Sequence, residues 1–520
     1  MRPFDSTGAF RPLVEEDGLR RQAVRGAGVT VFSQGFALAI QVIATVILAR
    51  LLTPADFGVV AMVTTFSLIL TNVGLNGFTE AVVQWEEMDH FLASNLFWIN
   101  IGAGILLTVG FAAAGSFLAR FYRNPLVAHV AVGISLTIFI TSASVLHLAL
   151  LKRAMLFSWV SANDIFACAV SVAVSVLLAW AGWGYWALVV GAVAQPLSTS
   201  IGAWIMCRWT PSFPRRAAGT ASILRFASNV YGRFGVRYFS RNMDNLLVGW
   251  RFNASALGFY KKAYDLFALS ASQTVGPLTV VAVSALSRLR RDPIQFKRYL
   301  MNSLAIVAFV GMGLGADLTL TGKDVIRLLL GPGWEESGRI FIFFGPGIGL
   351  MLLHGVHGWI HLSIGRADRW LRWTAGEFVV TALLFVLALR WGPVGIAVAW
   401  TVSFFILTLP AIWYAGRPIQ LGVAPVVAAI WKYIGASALA ASATVAMMRG
   451  IPSFIAAPGA VAALVRIVMI SGLFGALYLG FVIMLHRGCA PLYQFAGLVR
   501  EMIPGGKSAR LDTPVAVTRA

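Results

Sequence analysis

The sequence predicts an all-α, polytopic membrane protein of about 14 helices, built as two six-helix lobes followed by two further helices. Three observations carry this. Of the 520 residues, 58% are hydrophobic and only 12% charged, and mean hydropathy is +0.78; soluble chains average about a quarter charged residues. Apolar runs of about 20 residues, the length that crosses a bilayer as a helix, recur along the chain. One stretch near residue 50 is echoed near residue 250.

The spans start near residues 29, 57, 95, 126, 160 and 185. After the polar break "CRWTPSFPRRAAGTAS" they resume near 224, 259, 300, 340, 373 and 393, with two more near 424 and 460. The division is then a tail over 1–28, an N-lobe over 29–207, a linker over 208–223, a C-lobe over 224–416, a helix pair over 424–487 and a tail over 488–520. The first run follows a charged tail too long for a signal-peptide leader and has no small-residue cleavage site behind it, so it reads as a retained span.

An even number of spans puts both termini on one side. With that side cytoplasmic, inner loops and tails hold about 26 Lys and Arg against about 12 outside, as the positive-inside rule requires. The net charge of +20 therefore reflects topology and anionic headgroups rather than nucleic acid. Cys168, Cys207 and Cys489 are too scattered for a metal motif or disulfide framework.

The repeat aligns "ILARLLTPADFGVVAM" with "LVGWRFNASALGFYKK", placing Trp250 opposite Arg50 and Gly258 opposite Gly58. A weaker echo pairs "FLARFYRNPLVAHVAVG" with "VIRLLLGPGWEESGRIFIFF", each between the third and fourth spans of its half. Halves of six spans enter from the same side, so they are related by an axis along the membrane normal with a pathway between them.

Polar residues within spans mark function. Arg225, Asn229, Arg233, Arg237, Arg241 and Asn245 follow one another at four-residue steps, a stripe that drifts only about 40° per step on a helix. Facing lipid, each arginine would cost about 2.5–3.5 kcal/mol on the insertion scale, so the stripe belongs in a hydrated cavity. Guanidinium forks bind phosphate bidentately, which points to a diphosphate or anionic sugar chain. Asp244 is positioned three residues from Arg241 to pair with it structurally. At the two-hundred offset the first lobe carries Ser33, Ala37 and Gln41, so the positive field is one-sided, with Gln41 its polar counterpart.

Asp164, Glu377 and Asp317 near span ends are candidate coupling or structural carboxylates. His354, His357 and His361 share a helix face, but no carboxylate or cysteine lies near them in sequence, which argues against a metal. Trp180, Trp183, Tyr185 and Trp186 belong to an interfacial aromatic belt. The stretch "GPGWEESG" lacks the lysine of a phosphate-binding loop, and no extramembrane segment is long enough for an ATPase or glycosyltransferase domain. No cofactor is expected; transport, not covalent chemistry, is the expectation.

"LARLLTPADFGVVAM", "GLNGFTEAVVQ", "SNLFWIN", "GYWALVVG", "SRNMDNLLVGW", "LGFYKKAYDL" and "GPLTVVAVSALSRL" resemble the polysaccharide transport family of the multidrug/oligosaccharidyl-lipid/polysaccharide exporter superfamily, from about residue 24 to about 415. The resemblance implies a Wzx-type flippase. It would move an undecaprenyl-diphosphate-linked oligosaccharide across a bacterial inner membrane by alternating access, for capsule, lipopolysaccharide O-chain or exopolysaccharide. It also implies membrane lipids, a polysaccharide polymerase and a chain-length regulator as partners. Arg241, Asn242, Asp244 and Asn245 match a recurrent family run, implying a scaffold role, whereas Arg233 and Arg237 depart from it, implying substrate contact. Two other classes compete: a cation-coupled drug or metabolite antiporter, which predicts an acidic cavity, and a non-transporting scaffold of polysaccharide assembly.

Overall fold

A computed structural model describes residues 1, 3–10, 19–85, 88–214, 234, 238–239, 241–449, 459–493, 495 and 497. Within them the chain is helical, and extended pairing is limited to the isolated bridges Phe4–Phe10 and Ala9–Asp89. In the first half α1 spans Leu19–Leu51, α2 Pro54–Gln84, α3 His90–Tyr122, α4 Leu126–Arg153, α5 Phe157–Trp180 and α6 Tyr185–Met206. A helical stretch over 241–251 is α7. Then come α8 (Ala254–Arg288), α9 (Pro293–Leu330), α10 (Glu335–Ser363), α11 (Ala367–Ala388), α12 (Gly392–Gly416), α13 (Val423–Met448) and α14 (Ala460–His486).

Eleven described stretches are long and apolar enough to cross a membrane. One of them, Ala367–Ile419, contains both α11 and α12, so the expected count of about fourteen is an approximate match. The chain is a multi-pass membrane protein. Several helices begin before the apolar run, because the backbone ladder continues past the hydrocarbon edge; α9 has 38 residues. Large apolar side chains remain exposed along the spans, among them Leu106, Phe117, Leu177 and Phe405, as expected of a lipid-facing surface.

By contacts the chain divides into two compact units. The first comprises Met1–Tyr264, Ile326–Ile340 and Thr381–Ile396. Its centre is α4, which packs against α2, α3 and α6. Its Ser- and Ala-rich sequence allows that closeness: small residues let helix backbones approach where apolar burial alone gives no drive. Asn100 Nδ2 donates to the Ser142 carbonyl at 2.7 Å, and Ser200 Oγ to that of Ile140 at 2.8 Å. The N-terminus is tied to one end of this unit. The Met1 ammonium donates to the Met206 carbonyl at 2.6 Å, and the His90 amide to the Gly8 carbonyl at 2.9 Å. Arg153 donates to the Val82 carbonyl at that end too. The ends of α2, α4 and α6 therefore gather beside residue 1.

The opposite end shows the repeat directly. A β-carbon on Gly58 would lie 1.7 Å from the Ala254 carbonyl oxygen, and one on Gly258 1.9 Å from that of Pro54. These are reciprocal contacts between positions two hundred apart, with only glycine admitting the approach. The weaker echo also appears: Arg50 donates to the Leu328 carbonyl at 3.1 Å, while Trp250 stacks on Phe121 at 6.4 Å. The stretch "GPGWEESG" turns over 331–334 and opens α10 at Glu335; it seats Trp334, 1% exposed, whose Nε1 donates to the Ala49 carbonyl at 2.8 Å.

The second unit comprises Asp265–Val325, Phe341–Val380 and Ala397–Ala520. Here α13 packs on α14, and Phe267 stacks on Phe344 at 4.7 Å. Arg466 of α14, 5% exposed, grips Asp324 of α9: Nε lies 3.1 and 3.2 Å from the two carboxylate oxygens and an amino group 2.5 Å from Oδ1.

Candidate functional site

The arginine stripe falls mostly outside the described residues: Arg225, Asn229, Arg233 and Arg237 all lie there. Its remainder belongs to α7. Arg241 is exposed, and Asn245 is buried at 1%, its Oδ1 without a hydrogen-bond partner.

The expected pairing of Arg241 with Asp244 is not what the structure holds. Asp244 is fully buried, and its Oδ2 accepts from the Tyr260 hydroxyl of α8 at 2.7 Å. Three residues separate Arg241 and Asp244, but the helix directs one outward and the other inward. Nearby, Asn242 Nδ2 donates to the Tyr238 carbonyl at 3.0 Å, and the Tyr238 hydroxyl to the Thr65 carbonyl of α2, also at 3.0 Å. This part of the run joins α7 to its neighbours.

Gln41 of α1 is exposed and hydrogen-bonded to Cys168 of α5. All three cysteines are free thiols. Asp164 is exposed, within reach of the Lys152 charge. Asp317 is half-buried, with a side-chain hydrogen bond to Ser471. These residues are thus dispersed: Gln41, Asp164, Arg241, Asp244 and Asn245 in the first unit, Asp317 and Glu377 in the second.

A cavity of about 250 Å³ opens in the first unit where α3 and α7 end and α8 begins. Tyr122, Trp250 and Asn253 line it together with Arg123 and Arg251, both exposed. Its chemistry suits an anionic group beside an aromatic wall.

In sequence no carboxylate or cysteine lies near His354 and His357. The fold supplies one: Glu377 of α11 approaches α10, its Oε1 3.0 Å from His354 Nε2. His354, His357 and Glu377 each offer one ligating atom within 4.8 Å of the others. The i, i+3 histidine spacing was legible; the carboxylate facing it across a helix pair was not. The Arg466–Asp324 pair was missed for the same reason, although a lone arginine in an apolar run is a signal that something charged must face it.

The chain matches a family model described as polysaccharide biosynthesis protein over residues 47–339. It is 23% identical over 388 residues to the teichuronic acid biosynthesis protein TuaB of Bacillus subtilis, covering 74% of this chain and 79% of that one. It is 22% identical to the succinoglycan biosynthesis transport protein ExoT of Rhizobium meliloti, covering 61% and 64%. With the lipopolysaccharide biosynthesis protein WzxC of Escherichia coli it shares 19% identity over 61% and 65%. The chain thus spans somewhat under two thirds of the length of the latter two relatives.

In fold it is similar to the lipid II flippase MurJ in an inward closed conformation, with TM-score 0.70, 12% identity and coverage of 89% and 99%. It is also similar to an inward-facing multidrug resistance MATE family transporter of the MOP superfamily, with TM-score 0.60, 11% identity and coverage of 74% and 94%. At such identities the likeness is one of fold. The family match, covering more than half of the sequence, is of another order: the chain belongs to the polysaccharide biosynthesis protein family.

Proposed function

We propose that this protein is a flippase carrying a polyprenyl-diphosphate-linked oligosaccharide across a bacterial inner membrane, with both termini cytoplasmic. The observation that carries the proposal is the family match over residues 47–339, in a chain whose fold is similar to that of a lipid II flippase. Relatives named for succinoglycan transport and lipopolysaccharide biosynthesis support a lipid-linked glycan as cargo.

In this reading the two six-helix lobes rock against each other and expose a cationic cavity to each side in turn. Arg233 and Arg237 hold the diphosphate, with Asn229, Arg241, Asn245 and Gln41 contributing polar contacts. Phosphate recognition by guanidinium groups needs neither a cofactor nor a covalent intermediate, so the protein acts by transport and not as an enzyme. A positive cavity also disfavours cationic cargo, which separates this reading from a drug antiporter. A polymerase and a chain-length regulator would act on the delivered units.

Deleting the gene in its host, then supplying it in trans, tests the proposal. The deletion strain should accumulate lipid-linked repeat units in the inner leaflet and lose surface polymer, and the wild-type gene should reverse both. Normal polymer without the gene, in a host with no second flippase, would refute it.

A further inference from the structure

We propose that His354, His357 and Glu377 form a binding site for one divalent transition cation, with Zn²⁺ as its representative. The site is independent of what the protein transports. The two histidines are three residues apart on α10, with ring centroids 4.5 Å apart, and Glu377 reaches them from α11. The donor set, two imidazoles and one carboxylate, is that of three-ligand zinc sites with an open fourth position.

The tautomers are prepared for this role. His357 Nδ1 bonds to the His354 backbone carbonyl, which places the proton on Nδ1 and leaves the Nε2 lone pair available. A ligating histidine is held in this way by the hydrogen bond of its other nitrogen. His357 is 6% exposed, yet its Nε2 has no partner. His354 is 5% exposed and turns its Nε2 toward Glu377. A buried imidazole nitrogen without a partner calls for a ligand.

The distances suit a modest closure. Zinc bonds of about 2.0–2.2 Å place tetrahedral donors about 3.4 Å apart, so donors already within 4.8 Å meet by side-chain rotation. Phe404 and Trp370 flank the rings and keep the site apolar. His361, one turn on at 6.1 Å, lies next to the Arg369 charge and is the less suitable ligand. Binding would replace the hydrogen bond between His354 and Glu377. The ion would tie α10 to α11.

The test uses the full chain in detergent, with any affinity tag removed and metals stripped by chelator. Zn²⁺ is titrated against a competing fluorescent chelator. The expected result is one site per chain with micromolar or tighter affinity, weakened at least about 100-fold in H357Q and in E377Q and unchanged in H90Q. X-ray absorption at the zinc edge on the wild-type protein should show nitrogen and oxygen ligands at about 2.0–2.2 Å with imidazole scattering. That readout stands even where a variant fails to fold. Absence of saturable binding below about 100 μM, affinity unaltered in the triple variant H354Q/H357Q/E377Q, or a shell without imidazole would each overturn the proposal.

Discussion

Gly58 and Gly258 occupy equivalent places in a reciprocal contact: each admits the backbone of the other repeat, Gly58 at Ala254 and Gly258 at Pro54. The local pseudo-twofold at this end of the first unit is thus written in two glycines two hundred residues apart. Any side chain at either position must push helix backbones apart. We expect Gly58→Ala and Gly258→Ala each to destabilise the protein by about 1–3 kcal/mol, the usual range for overpacking. Gly102→Ala, where a β-carbon would meet nothing within 4 Å, should be neutral or slightly stabilising. Thermal unfolding in detergent measures all three.

The Arg466–Asp324 bridge holds α14 to α9 within apolar surroundings. Removing one partner strands the other charge, so R466M or D324N should each cost about 3–5 kcal/mol. The double replacement R466M/D324L leaves no unpaired charge and should recover most of that loss. Equal and additive losses in the double variant would show that the pair itself contributes nothing.

Thiol chemistry reports the topology. Burial pushes the Cys207 thiol up to about 12, against a smaller opposing pull from the Met1 ammonium, so Cys207 stays a protonated, enclosed thiol at neutral pH and should resist maleimide until the protein unfolds. Cys489 is exposed, just beyond the end of α14. In intact spheroplasts an impermeant maleimide should leave Cys489 unlabelled, and permeabilisation should make it reactive. Labelling from outside would reverse the proposed orientation of the C-terminus.

The clip between α7 and α8 gives a fourth expectation. Tyr260→Phe removes a donor from the buried Asp244 carboxylate, and its loss should cost about 1–3 kcal/mol. Arg241→Gln, at an exposed position, should change stability by less than about 0.5 kcal/mol. The two variants separate the scaffold part of the run from its solvent-facing part in one unfolding experiment.

Helices and repeat were legible because both are local signals: an apolar run sets each span, and two copies of one short motif expose the offset. Lateral pairings were not legible. Asp244 chose Tyr260, 16 residues on, over Arg241 on its own helix, because a helix turns residues three apart only partly to the same side while burial selects the inward one. Arg466 found Asp324 across 142 residues, and Glu377 met His354 across 23. A lone charge in a span announces that a partner exists, but only packing names it. Arg233 and Arg237 stand out in the sequence because three charges in one span need a hydrated or anionic neighbour.

Those two arginines bear the central claim, and reconstituted flipping tests it most directly. The purified protein is placed in liposomes with a fluorescent polyprenyl-diphosphate oligosaccharide, and transbilayer movement is read by quenching from one side. The account predicts protein-dependent flipping that falls at least about 100-fold in R233Q/R237Q, as losing two charge-assisted phosphate contacts requires, while the variant inserts and unfolds like the wild type. Wild-type flipping rates in that double variant would contradict it.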